Sequence, residues 1–304
     1  MDGILQRTAG APISWGICEV PGWGLQLPAE RVLRDMAELG LRATELGADG
    51  FLPDDPAALR AMLDRYRLRL VGGFVPLVLH DRDAASQTMA AAARALALLS
   101  AAGADCFVTA AVTDLDWSPR TPLDDPAWRQ LADTLARVEE LVASAGLRHV
   151  LHPHAGTVVQ NADEIWRVLE DTQVSWCLDT GHLAIGGVDP VEFAQAAAGR
   201  IGHVHLKDAH TALCRRVQSG ELSLLEATRR GMFQPLGRGD LAIDRTVAAL
   251  ETAGYPGWYV LEQDIALDAG ASATTADPRS DVRDSLTYLR SVMATGGDMS
   301  TTSA

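Results

Sequence analysis

Residues 201–208 read IGHVHLKD, and the change of character along that run decides the fold. It opens as a buried strand and closes on ionisable side chains. Alternate residues of a strand share a side, so His203, His205 and Lys207 lie together. Three other phrases also follow apolar runs: HPHAGT from His152, LDTGH with Asp179, and LEQD with Glu262. Strands buried on both faces, as in a parallel sheet under helices, read in this near-continuous apolar way. Two imidazoles and two carboxylates from four strand ends suit one divalent metal at one end of a barrel.

Outward from these phrases, strand and helix patterns alternate. Strands are expected at 11–18, 43–47, 69–76, 106–112, 149–152, 174–179, 201–207 and 258–262, and helices at 28–39, 56–66, 84–102, 125–145, 190–198, 243–253 and 280–292. Pro28 suits a first helical position, with Val32, Leu33, Met36 and Ala37 on one stripe, and Gly40, Gly103 and Gly146 are stop signals. Asn161 caps a further helix whose first turn carries Asp163 and Glu164. Alternation of this kind calls for a parallel sheet with helices outside. Eight such units closing on themselves give an α/β protein of one domain, a (β/α)8 TIM barrel over residues 1–294. An open doubly wound sheet would favour a glycine-rich phosphate turn after the first strand, and GICEVPGWG after Trp15 is not one.

Residues 208–243 exceed a usual βα loop. They are expected to cover the catalytic face, with a short helix near 222–230 and a turn at PLGRGD. The small, polar stretch 295–304 reads as a disordered tail.

Composition narrows the function classes. The chain has 304 residues, 47% of them apolar, enough for a sizeable core, and a formal net charge of −14 with no basic stripe. A nucleic-acid partner is therefore not expected. No stretch approaches the roughly 20 apolar residues of a membrane span. The start, MDGILQRTAG, lacks a signal-peptide core, and the four cysteines show no CxxC pair. These features point to reduced thiols and the cytoplasm.

Strand parity places His152, Asp179, His205 and Glu262 inward as a metal set. Oxygen and imidazole donors suit manganese, cobalt, zinc or magnesium. His182, three residues past Asp179, is a candidate proton donor on a loop. Lys207 is expected at the mouth, binding substrate and stabilising an oxyanion. Glu45 and Trp15, at the ends of the second and first strands, are expected to bind hydroxyls and to form an apolar wall. His154 shares the side of His152 and joins the substrate-binding candidates. There is no G-x-S-x-G elbow and no Walker loop.

LDTGH, HVHLKD, the F-x-P-L-G-x-G turn at 233–239 and a last strand ending in Glu resemble the xylose isomerase-like barrel superfamily. Within it, APISWG and HPHAGTVVQNADEI are similar to the inosose dehydratases. The similarity runs from about residue 11 to 289. The resemblance implies one divalent ion, Mn2+ or Co2+ in preference to Mg2+ or Zn2+, with the superfamily's ligands falling on Asp179, His205 and Glu262. Where its epimerases carry a glutamate after the fifth strand, this chain has His152, which disfavours symmetric two-base epimerisation. The implied activity is a hydro-lyase acting on an inosose-like cyclic polyhydroxy ketone. Glu262 or His152 takes the proton α to the carbonyl, and His182 or His152 protonates the departing β-hydroxyl. The alternative is a keto-sugar or keto-inositol isomerase or epimerase on the same site. Apurinic-site cleavage fits poorly, because the first four strands carry no histidine. A carbohydrate-sensing barrel would need no metal. A homodimer or tetramer is the expected assembly.

Overall fold

The structure, a computed structural model, describes residues 3–268, 270 and 277–296. Its ten strands are β1 (Thr8–Gly10), β2 (Ala43–Glu45), β3 (Arg69–Leu77), β4 (Cys106–Ala111), β5 (Arg148–Leu151), β6 (Trp176–Asp179), β7 (Ile201–Leu206), β8 (Asp208–Ala209), β9 (Phe233–Gln234) and β10 (Tyr259–Leu261). Eight of them close into a barrel in the order β1-β10-β7-β6-β5-β4-β3-β2, and every barrel pairing is parallel. This is the (β/α)8 barrel expected from the alternation.

The helices follow from local chemistry. Asp55, Asp124 and Asp189 accept backbone N–H bonds at helix starts, each followed by a proline in the first turn. Such caps contribute about 1 kcal/mol each. Asn161 and Glu164 form a reciprocal capping box. Leucine, valine and isoleucine stripes on these helices join Phe107, Leu151, Trp176 and Tyr259 in one continuous core between helix shell and barrel. Inside the barrel, small apolar side chains fill one end: Ala9, Ala43, Val71 and Val260 in one cluster, Cys106, Val108, Val150 and Cys177 in another.

Two expectations shift. The first strand is Thr8–Gly10, not 11–18, because Pro12 starts a 3-10 turn over Pro12–Trp15. In residues 208–243 the expected short helix is present as Leu224–Arg229; in addition β8 pairs antiparallel with β9, and a second helix, Thr211–Gln218, lies between them. Asp208 organises the closing turn by accepting the N–H groups of Gly237 at 2.8 Å, Gly239 at 3.0 Å and Leu241 at 3.1 Å. A Cβ at Gly239 would run into the Asp208 carboxylate, so that close approach requires glycine. The last helix, Arg279–Gly296, carries the chain two residues into the expected tail, and 297–304 lie outside the described residues. Among the described residues no helix is long and apolar enough to cross a membrane.

Candidate active site

Four barrel strands end on ionisable groups at the same end of the barrel. Asp179, the last residue of β6, also caps the helix Thr180–Gly186. Its Oδ1 accepts the N–H groups of Gly181 and His182 at 2.8 and 2.9 Å. The cap therefore fixes the carboxylate, and Oδ2 is left for the barrel interior. There Oδ2 lies 3.4 Å from His152 Nε2 and 3.5 Å from His205 Nδ1. Ligand atoms of Asp179, His205 and Glu262 all fall within 4.8 Å of one another. His205 Nδ1 and Glu262 Oε2 are both buried and face each other at ion-pair distance, 2.6 Å.

The surroundings set their orientation. Glu45, ending β2, faces the Nε2 atoms of His203 and His205 with one oxygen, Oε1, at 2.8 and 3.0 Å. With Nε2 of His205 directed at Glu45, Nδ1 turns toward Asp179 and Glu262, where a bound ion would take the place of its proton. Burial alone would raise the Glu45 pKa; the imidazoles of His205 and His203 outweigh it and hold the carboxyl well below the usual range. Lys207 is fully buried, its Nζ 2.9 Å from Glu262 Oε1 and 2.5 Å from Asp264 Oδ1. A Cβ on Gly181 would stand 2.7 Å from the Lys207 stem, so the missing side chain there makes room for the lysine. Burial would raise Glu262 as well, but His205 and then Lys207 bring it down to about 2. Asp264 goes the other way, pushed up to about 6 by burial despite Lys207. Glu45, Asp179, Glu262 and Asp264 are thus four buried carboxylates around one ammonium. The imidazoles of His203, raised to about 9, and His205, raised well above its ordinary value, add positive charge beside them. The donor set, carboxylate oxygens and imidazole nitrogen, fits a divalent ion held by Asp179, His205 and Glu262 beside His152.

A cavity of about 560 Å³ opens over this floor. Glu45, His152, His154, His205, Glu262 and Asp264 line it below, with Phe74, Trp117 and Trp23 among the apolar walls. His154 Nδ1 lies 2.8 Å from the Ala155 carbonyl, which places the proton on Nδ1 and a lone pair on Nε2. Burial, then the neighbouring His152, brings its pKa down to about 3, so the ring is neutral.

The family model described as xylose isomerase-like TIM barrel matches residues 33–292. The chain belongs to this family. An inosose dehydratase of Geobacillus kaustophilus (strain HTA426) is 34% identical over 268 residues, covering 84% of this chain and 86% of that protein. The rhizopine catabolism protein MocC of Rhizobium meliloti is 33% identical over 260 residues, covering 83% and 79%. Among solved structures, the IOLI protein with a bound zinc atom superposes with a TM-score of 0.70 at 12% identity, covering 95% of this chain and 98% of that one, a likeness of fold.

Against the family's barrel, most sequence-derived candidates converge and three move. Asp179, His205, Glu262, His152, Glu45 and His154 meet at the floor. Trp15 does not reach the cavity: it lies in the 3-10 turn and is wholly buried in the core. Lys207 does not line the cavity either, because its ammonium is taken up by Glu262 and Asp264 beneath it. His182 sits in the first turn of a helix, not on a loop, with Nδ1 accepting the Ala155 N–H at 3.2 Å and its ring packed 3.8 Å from that of His154. It lies outside the cavity lining, and burial followed by His154 and Lys207 holds its pKa well below the ordinary value. The residues missed were Phe74, Trp117 and Trp23. Phe74 was legible in principle, since it continues the side of Gly72 along β3 toward the catalytic end.

Proposed function

We propose that this protein is a metal-dependent hydro-lyase that dehydrates a cyclic polyhydroxy ketone of the inosose type. The observation that carries the reading is the convergence of Asp179, His205 and Glu262, whose buried ligand atoms lie within 4.8 Å of one another on the cavity floor. Asp179, His205 and Glu262 would hold the ion, with His152 as the fourth neighbour. Bound there, a divalent ion supplies Lewis-acid polarisation of the carbonyl and acidifies the adjacent C–H.

The chain's own groups do the rest. Glu262, kept ionised by His205 and Lys207, accepts the α-proton. His154 offers its free Nε2 to a substrate hydroxyl. His182 is turned away from the cavity, so the proton for the departing β-hydroxyl falls to Asp264, which lines the cavity beside Glu262 and whose pKa burial pushes up to about 6. Lys207 orients Glu262 and Asp264 from behind. The inosose dehydratase relative agrees with this chemistry. The four cysteines are free thiols, consistent with a cytoplasmic enzyme.

The test is to strip the protein with a chelator, reload it with Mn2+ or Co2+, and follow an inosose by absorbance of the unsaturated product. Activity should fall to background on stripping and return on reloading. Conversion to an isomer without loss of water would move the assignment to a keto-sugar isomerase or epimerase. Full activity of the stripped protein would end the metal assignment.

A further inference from the structure

The cavity is larger and drier than a bare polyol ring requires. Its volume of about 560 Å³ falls within the roughly 300–1,000 Å³ that encloses drug-sized ligands. A single six-membered ring with its oxygens is smaller than that class. Such a ring carries hydroxyls around its whole circumference, and each one buried without a partner costs about 1–3 kcal/mol. A cavity built for the ring alone would therefore be polar on every side. Here the buried and half-buried acid and imidazole groups are confined to the floor, and Glu19, Asp49 and Ser223 lie toward solvent.

Between floor and solvent the walls are apolar and held in place. Trp23 donates its indole N–H to the Ile265 carbonyl at 2.8 Å, which fixes the ring. Phe74 and Trp117 stack with centroids 6.3 Å apart and planes 10° from parallel. Leu224 and Leu225 come from the helix Leu224–Arg229, whose Arg229 donates to the Gly22 carbonyl at 2.6 Å and ties that helix to the loop after β1. Leu115, the one large hydrophobic residue exposed among those described, at 56%, also lines the cavity.

We infer that the substrate is a cyclic polyhydroxy ketone bearing an aryl substituent, its ring on the ionisable floor and its aryl group between Trp23, Phe74, Trp117 and Leu224. The inference rests on the dehydratase reading of the floor and adds the substrate class. The reaction is unchanged: the α C–H and β C–OH bonds break, a C=C bond forms, water leaves, and the substituent stays on the ring.

The test compares the methyl and phenyl glycosides of 4-keto-glucose, in which the hydroxyls at C2 and C6 lie β to the carbonyl and the glycosidic bond does not, with an inosose as the bare ring. On the metal-loaded enzyme, kcat/KM is read from product absorbance; on the Glu262→Gln variant, Kd is read by calorimetry. Burying a phenyl group should favour the phenyl over the methyl glycoside by about tenfold or more in both measurements. The double variant Trp117→Ala, Leu224→Ala should bring that ratio close to one. Equal values for the two glycosides on the wild-type chain overturn the inference, whatever the variant does. Turnover of the inosose with no phenyl preference would sink the substituent and leave the dehydratase. Tenfold tighter phenyl binding with no turnover of any compound would sink the dehydratase and leave the substituent.

Discussion

The two ends of the barrel interior are built from the same strands and do opposite work. Val150 and His152 are two residues apart, as are Cys177 and Asp179, Val260 and Glu262, and Ala43 and Glu45. In each pair the first packs against small apolar neighbours and the second joins the ionisable floor. Side-chain parity is identical within a pair. Height along the strand alone separates packing from chemistry. His203 breaks the pattern by carrying an imidazole into the lower layer, where Glu45 meets it at 2.8 Å.

That contrast can be broken at either end. The largest effect is expected at the top: Glu262→Gln should lower kcat by about 10²–10⁴-fold, the usual contribution of a positioned acid or base, with the circular dichroism spectrum unchanged. Activity within a factor of two of wild type would remove Glu262 from the chemistry. Glu45→Gln should weaken metal binding by about 10–100-fold, as loss of a partner behind a ligating histidine does, measured as Kd by calorimetric titration. Rescue of that affinity by Glu45→Asp would show that the carboxylate and not the packing matters.

On the outer side of β5, His149 sharpens the comparison with His152, because it sits in the helix-facing core without carboxylates. It contacts Thr109 Oγ1 at 2.9 Å and packs against Phe107, and burial brings its pKa down to about 4. The unfolded chain takes up this proton near pH 6.5 and the folded chain does so only near 4. Stability is therefore whole above 6.5, falls as the pH drops through that window, and levels off below it, by up to about 3 kcal/mol. His149→Gln should flatten this part of the profile in urea unfolding at pH 7.5 and pH 5. The smallest effect belongs to the bottom: Val150→Ala should cost about 2 kcal/mol of stability and leave kcat per folded molecule unchanged.

How much of this could be read in advance follows the same division. β6 and β7 were legible because their period-2 pattern carries both the buried face and the ionisable ends. β1 was not: its three residues Thr8–Gly10 make no apolar run, while the apolar stretch after it, fronted by Pro12, is a turn. Trp15 was misplaced as a consequence. Lys207 had the expected parity, but the space beside Gly181 lets its long stem sink beneath the floor, a depth that parity does not encode. His182 was moved by the Asp179 cap, which winds the chain into a helix at once. Phe74, Trp23 and Trp117 meet only through tertiary structure, and Trp117 adopts φ +56°, a left-handed conformation that its residue type does not advertise.

The Asp208 turn gives the excursion above the barrel a clasp at its base. One carboxylate gathers the backbone at 237, 239 and 241 and returns the chain to the helix Ile243–Thr252, so the excursion is closed at its base before the next barrel helix begins. Evolution can then rewrite the roof residue by residue, trading one appetite for another, while the hearth beneath keeps burning the same fuel.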